Sequence, residues 1–353
     1  MKRDYMQLAS ELAKKGQGKT WTNPLVGAVI VKNQEILACG FHHQFGEPHA
    51  EIDALNQLTK LAAARGATMY VTLEPCSHYG KTPPCAKKIV EVGFSRVIIG
   101  QLDPNPLVAG KGCQILRQAG IKVEILNQTQ QLNPAYNFFY RHQRPWVTLK
   151  YAMSFDGKIN AQSGVRSILT GQKAFLDTQQ LRAKQQAILI GENTLKVDDP
   201  QLTVRLADLL YPPVRVVLVN DADQLDLSLR LFKSAAPILL LSRKQSKRNW
   251  PQQVTVLTDD EWSPQKVIQL LYQRGIQSLL IEGGAQIQAD YLGAGIVDRL
   301  VIYLTPHIFG GIGLPAAFGK ATPNFINYRV INQQQIGEDF RFELIRTKEE
   351  SNV

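Results

Sequence analysis

His49, Cys76 and Cys85 are a histidine and two cysteines that together could hold a metal ion, and Glu51 stands two residues from the histidine without being needed as a ligand. Thiolates and a neutral imidazole are donors that zinc takes readily. Three protein ligands leave the fourth tetrahedral position open to water, the mark of a catalytic rather than a structural zinc. Zinc lowers the pKa of such a water to ~7. A carboxylate beside it can then carry protons from the water to a leaving amine, and Glu51 is the candidate for that task. The chemistry on offer is hydrolytic removal of an amino group.

The surrounding elements must bring these groups together. Ala50, Ile52, Ala54, Leu55 and Leu58 have helical spacing and predict a helix from His49 to Leu61. His49 and Glu51 then share its first turn and face one cleft. A strand over 67–72 runs up to Cys76, and a helix over 86–92 follows Cys85, where the helix dipole favours a thiolate. Strands at 26–31 and 36–39, joined by the turn Lys32-Asn-Gln34, precede this region. A strand at 96–100, a helix at 112–119 and a strand at 122–125 follow it. Tyr5, Leu8 and Leu12 make the N-terminal segment an amphipathic helix. The pattern is an α/β layer around a sheet of about five strands. Cys39 and Cys113 sit in apolar stretches and read as small core residues.

At 353 residues the chain is too long for one typical core, so two domains are expected, 1–145 and 146–353, with the boundary near Arg144-Pro145. The second segment reads as strands at 146–152, 187–191, 214–219, 237–242, 278–282, 300–304 and 340–345, with helices at 173–185 and 264–274. It is a second α/β domain. Glu282-Gly-Gly284 leaves an apolar strand and opens a helix, where backbone N–H groups can meet a phosphate. The G-x-G-x-x-G fingerprint is absent, so a Rossmann domain is not supported. Arg182 and Arg205 could each grip a phosphate bidentately.

The net charge is +10, which suits anionic partners. The one dense basic run, Arg243 to Arg248, has no interleaved aromatic residues of the kind that stack on bases. A zinc-stabilised nucleic-acid module would normally hold its metal with four protein ligands, so no nucleic-acid partner is expected. No apolar run approaches ~20 residues, so no membrane span is expected. The first residues lack a signal-peptide core, and four cysteines, two assigned to metal, are no disulfide framework. The cytoplasm is the expected location.

The spacing around Glu51 and Cys76 has the H-x-E and P-C elements of the zinc deaminases, although the second cysteine is displaced to position 85. With both halves considered, the chain resembles the bifunctional riboflavin-biosynthesis deaminase–reductases along essentially its whole length. The first half carries Asn23-Pro-Leu-Val-Gly27, Gly46-Glu-Pro-His-Ala-Glu51, Thr72-Leu-Glu-Pro-Cys-Ser-His78, Lys81-Thr-Pro-Pro-Cys85 and Asp103-Pro-Asn-Pro-Leu-Val-Ala-Gly110. The second half carries Lys150-Tyr-Ala-Met-Ser-Phe-Asp-Gly157, Leu169-Thr-Gly171, Leu181-Arg-Ala183, Asp198-Asp-Pro-Gln-Leu-Thr-Val-Arg205 and Glu282-Gly-Gly284. The long cysteine spacing is this family's own form.

The resemblance implies a cytidine-deaminase-like first domain and a dihydrofolate-reductase-like second one. The first would hydrolyse the C2 amino group of 2,5-diamino-6-(5-phosphoribosylamino)pyrimidin-4(3H)-one. His49, Cys76 and Cys85 would hold one zinc per chain, with Glu51 shuttling protons. Asn23, His42, His78, Lys81, Asp103 and Asn105 would bind the phosphorylated pyrimidine. The second domain would deliver hydride from NADPH to C1′ of the ribosyl group, opening it to ribityl. Lys150, Arg166, Arg182, Leu202, Arg205 and Glu282 would face substrate there. Ala152, Ile168, Thr170, Thr194, Asp198 and Gly284 would lie along NADPH, and the loop at Arg243 would read its 2′-phosphate. Family members associate as dimers or tetramers, so a homo-oligomer is expected. One stretch departs from the family. Where many members have G-E-S-x-W-I-T, this chain reads Gly164-Val-Arg-Ser-Ile168-Leu-Thr170, so Arg166 replaces a small hydroxyl and Ile168 a tryptophan. A deaminase with an altered second reaction is the alternative this departure raises.

Overall fold

The structure, a computed structural model, describes residues 4–77, 83–162, 164–206, 208–319 and 326–347. His78 and Lys81, both expected at the substrate, lie outside these residues. The chain divides into two compact units, Met1–Arg144 and Pro145–Val353.

In the first unit, α1 (Tyr5–Lys14) starts at Asp4, whose carboxylate accepts the N–H groups of Met6 and Gln7 at 3.0 Å each. β1 (Gly27–Lys32) and β2 (Glu35–Phe41) form a hairpin. Its turn residues Asn33 and Gln34 have φ of 51° and 67°, the paired positive φ whose twist suits a tight hairpin. α2 (Ala50–Asn56), β3 (Thr68–Val71), α3 (Cys85–Val92), β4 (Arg96–Ile99), α4 (Lys111–Gln118), β5 (Lys122–Ile125) and α5 (Pro134–His142) follow. The sheet order is β2-β1-β3-β4-β5, with β3, β4 and β5 parallel. Its core is built from Ile30, Met69, Ile89, Ile99 and Leu116, all fully buried.

α2 is shorter than its apolar spacing implies. It stops at Asn56, Lys60 is extended at φ −141°, and a separate single turn forms at Leu61–Ala64. His49 is therefore the N-cap of α2 rather than part of its first turn, while Glu51 lies within that turn.

The second unit runs β6 (Trp146–Ser154), β7 (Lys158–Asn160), α6 (Gln172–Ala183), β8 (Ala187–Gly191), α7 (Glu192–Asp198), β9 (Val214–Val219), β10 (Ile238–Ser242) and β11 (Val254–Thr258). It continues with α8 (Pro264–Gln273), β12 (Ser278–Ile281), α9 (Ala285–Gly293), β13 (Arg299–Thr305), β14 (Leu314–Pro315), β15 (Tyr328–Ile336) and β16 (Asp339–Arg346). A nine-stranded sheet has the order β11-β10-β9-β8-β12-β6-β13-β16-β15. Strands from β11 to β13 are parallel, and β16 and β15 add an antiparallel end. β8, β10 and β12 are buried at every position, as parallel strands covered on both faces require. No described helix is long and apolar enough to cross a membrane.

Candidate active sites

In the first unit, the segment after β3 and the starts of α2 and α3 converge. Nδ1 of His49 lies 3.5 Å from Sγ of Cys76 and 3.4 Å from Sγ of Cys85, and the candidate ligand atoms all lie within 4.8 Å of one another. Cys85 opens α3, and its backbone N–H donates to Sγ of Cys76 at 3.2 Å. A hydrogen bond from the Cys85 thiol, reinforced by His49, pulls the Cys76 thiol down to about 4. The hydrogen bond with Cys76 raises His49 to about 9. The trio therefore already favours a thiolate, and its soft donor set suits zinc. Burial pushes the Glu51 carboxyl up to about 7, within the range of a group that both takes and gives protons near neutral pH.

A cavity of about 200 Å³ opens onto this cluster, and His49, Glu51, Cys76, Asn23, His42, Asp103 and Asn105 all line it. Nδ1 of His42 lies 3.0 Å from the Pro48 carbonyl, an acceptor only, so Nδ1 carries the proton. Nε2 is then an acceptor for Nδ2 of Asn23 at 3.1 Å. Burial lowers the His42 pKa and keeps that ring neutral. Asn23 is thereby held with its amide oxygen as its remaining acceptor.

Two contributors, both tyrosines, lie outside the motifs. Tyr136 and Tyr140 of α5 line the cavity, and the Tyr136 hydroxyl donates to the Asp103 carboxylate at 3.0 Å. Their i, i+4 spacing on one helix face was the available signal. Glu74 is buried, and its carboxylate accepts the N–H groups of Asp103, Gly110 and Cys113 at 3.3, 2.9 and 3.1 Å. It ties the cysteine segment to the N-terminus of α4 and to the Asp103 loop. Gly112 permits that approach, since a Cβ there would lie 2.1 Å from the Pro75 carbonyl oxygen.

The second unit has adjoining cavities of about 450 and 230 Å³. Lys150, Ala152, Arg166, Ile168, Thr170, Arg182, Thr194, Asp198, Leu202, Arg205, Glu282 and Gly284 line the larger. Arg166, Thr194, Asp198 and Gly284 also line the smaller. Leu202 adopts φ 54°, a costly conformation for a branched side chain, at a buried position in the wall.

Arg182 differs from its expected free grip on phosphate. Its Nε and Nη2 donate to Glu282, and Nη1 donates to the Thr203 carbonyl at 3.3 Å. Arg205 stands with its guanidinium 5.2 Å from the Phe175 ring centroid. The Gly284 N–H is engaged by Oγ1 of Thr194 at 3.1 Å. Gly283 lacks a Cβ because one would lie 2.6 Å from Ile287. That glycine serves packing rather than phosphate approach. The 243–248 loop lines neither cavity; Lys244 pairs with Asp221, and Arg248 donates to the Asp223 and Leu225 carbonyls.

Comparison with known proteins gives consistent matches. Residues 145–342 match the family described as RibD C-terminal domain. Residues 1–101 match the cytidine and deoxycytidylate deaminase zinc-binding region. A curated relative from Bacillus amyloliquefaciens, riboflavin biosynthesis protein RibD, is 43% identical over 90% of this chain and 87% of its own. The structure of Acinetobacter baumannii RibD superposes with TM-score 0.87 at 35% identity, covering 97% of this chain and 98% of that one. A Thermotoga maritima diaminohydroxyphosphoribosylaminopyrimidine deaminase/5-amino-6-(5-phosphoribosylamino)uracil reductase superposes with TM-score 0.86 at 35% identity over the same shares.

Proposed function

The chain belongs to the RibD family of bifunctional riboflavin-biosynthesis enzymes, and from that premise we propose which of its residues carry each reaction. It is a zinc-dependent deaminase and a reductase acting on a small-molecule substrate, with a cytidine-deaminase-like α/β unit followed by a dihydrofolate-reductase-like one. The substrate is 2,5-diamino-6-(5-phosphoribosylamino)pyrimidin-4(3H)-one, deaminated at C2 and then reduced at C1′ of its ribosyl arm.

His49, Cys76 and Cys85 would hold one zinc per chain, which would supply an activated water when bound. The Glu51 carboxylate takes up a proton and delivers it to the leaving amino group. Asn23, fixed by His42, offers its amide oxygen to the pyrimidine edge. Asp103 and Asn105 orient the polar substrate, with Tyr136 bracing Asp103. His78 and Lys81 join them by motif position. The supporting observation is the meeting of the three ligand atoms, with His49, Cys76 and the buried Glu51 together in one cavity wall.

In the second unit, NADPH supplies the hydride. Ala152, Ile168, Thr170, Thr194, Asp198 and Gly284 line its path. Lys150, Arg166, Leu202 and Arg205 meet the phosphoribosyl arm, while Glu282 fixes Arg182 at its side. The adjoining cavities support separate seats for cofactor and substrate. The protein works in the cytoplasm as a homodimer or homotetramer. β15 is a sheet-edge strand with most of its residues exposed, which favours self-association.

The test is paired. Ammonia release and NADPH absorbance are followed after adding the diaminopyrimidine to zinc-loaded protein. Both signals are expected in sequence. Ammonia without NADPH loss would favour the alternative of an altered second reaction, and neither signal would count against the zinc-site assignment. Light scattering on a sizing column reads the assembly.

A further inference from the structure

Lys150 lines the larger cavity of the second unit, but the groups that fix its ammonium lie behind that wall. Its Nζ is 5.3 Å from the ring centroid of Tyr303. Lys150 is on β6 and Tyr303 on the adjacent parallel β13, which are paired in register through Lys150–Val301 and Ala152–Tyr303. Tyr303 is fully buried and is not part of the cavity wall. Its hydroxyl donates to the carboxylate of Asp177 on α6. Asp177 lies 2.9 Å from Nε of Arg341, whose Nη1 donates to Glu343 at 3.1 Å, and Glu343 pairs with Arg299 at 2.7 Å.

The arrangement is selective in what it fixes. A lysine side chain has four rotatable bonds and no planar fork, so a compact charge at its tip needs an external seat to keep one geometry. A ring face within ~6 Å provides such a seat. Donation of the phenol O–H to an anion places more electron density on that ring. The Asp177–Arg341–Glu343–Arg299 chain prevents the ring from turning away. Glu282 and Arg182, which also act on Lys150 beside Asp177, belong to their own pair, and no hydrogen bond anchors the Lys150 ammonium among the described residues.

We propose that Tyr303, clamped by Asp177, is the positioning residue that holds the Lys150 ammonium against the cavity of the reductase. This rests on the reading that Lys150 meets the substrate there. Tyr303 lies outside all of the sequence motifs.

A double-mutant cycle on the full chain tests this, using the pre-deaminated uracil substrate and NADPH. The melting transition of the second unit monitors its folding, and ammonia release from the diaminopyrimidine, in a separate assay, checks that the first unit is intact. Lys150→Ala is expected to lower kcat by more than ~10-fold, because it removes the cation and not only its seat. Tyr303→Leu is expected to lower kcat about tenfold, the size of a desolvated cation–π contact, with KM for NADPH unchanged. The double variant should be no slower than Lys150→Ala alone, because a seat matters only when its occupant is present. A merely structural role would instead add a further loss in the double variant, and that result overturns the proposal, as does wild-type kcat in Tyr303→Leu. If Leu at 303 unfolds the unit, Tyr303→Phe replaces it; a loss of about threefold that vanishes in the Lys150→Ala background supports the seat, and no loss or an additive loss refutes it. Wild-type activity in Lys150→Ala removes the Lys150 assignment and the seat with it. An inactive Lys150→Ala beside a fully active Tyr303→Leu removes the seat alone.

Discussion

Arg182 and Glu282 meet side-on in the second unit, with Nε of the guanidinium 3.0 and 3.1 Å from the two carboxylate oxygens. One comes from α6 and the other from the turn after β12. Their side chains are only 11% and 8% exposed. Each charge is tolerable at that depth because the other is present. The pair also removes most of the donor face that Arg182 would otherwise present to a phosphate, leaving Arg205 as the better-exposed cation of the two.

Glu282→Gln should therefore cost stability in a pH-dependent way. Burial alone would push the Glu282 carboxyl up, but Arg182, with a smaller contribution from Lys150, outweighs burial and holds it below the ordinary value. A carboxyl with a depressed folded pKa contributes stability above its unfolded value, ~4.3, and loses it as pH falls through the lower folded value. The variant should lose about 3 kcal/mol at neutral pH. Its acid destabilisation below about pH 4 should be shallower than that of the parent. Urea titrations at neutral pH and in acid, read on the second unit, check both; equal acid slopes would refute the assignment.

Glu74→Gln probes a different kind of burial. The Glu74 carboxylate serves three backbone donors, and an amide keeps only one acceptor oxygen. At least one buried N–H is left unpaired or poorly paired, at about 1–3 kcal/mol each. The expected outcome is a lower melting temperature of the first unit and a rise in KM for the diaminopyrimidine, because the Asp103 loop loses its tie. An unchanged melting temperature would show that the loop is held by other contacts.

The sequence made some of this legible and concealed the rest for identifiable reasons. His49, Glu51, Cys76 and Cys85 were readable because their chemistry is rare and their order is specific. β8 and β10 were readable because full burial on both faces demands unbroken apolar runs. β15 was not, since Tyr328 to Ile336 is largely polar and its place at a sheet edge asks for no apolar face. α5 was hidden by the change of composition before Trp146, which resembles a linker although Tyr136 and Tyr140 line the first cavity. The partner of Arg182 lies 100 positions away, and no local spacing encodes such a pairing.

Glu51→Gln separates metal binding from proton transfer. The His49, Cys76 and Cys85 ligand atoms are untouched by the change, so zinc content should remain one per chain. Ammonia release should fall by about 10²–10⁴-fold, the range for loss of a general acid–base group. Reduction of the pre-deaminated substrate should persist at the parent rate. Removal of zinc by a chelator should give the same pattern and be reversed by zinc. Ammonia release surviving in the variant would reassign the proton carrier.

Arg166→Ser addresses the departure at the second site. Arg166 lines both cavities of the second unit. Asp198, raised by burial, feels its opposing pull. Arg205 is lowered by burial first and then by the cations Arg182, Arg230 and Arg166. A further cation in that set attracts the phosphorylated substrate without taking part in hydride transfer. Its removal should raise KM for the pre-deaminated substrate about tenfold with kcat nearly unchanged, the pattern of lost uniform binding. It should also weaken the dependence of KM on salt, since exposed charge interactions are screened over ~8 Å at physiological ionic strength. If the arginine instead narrows the passage between the cavities, the serine variant will show a lower KM and a higher kcat, and the attraction is then excluded.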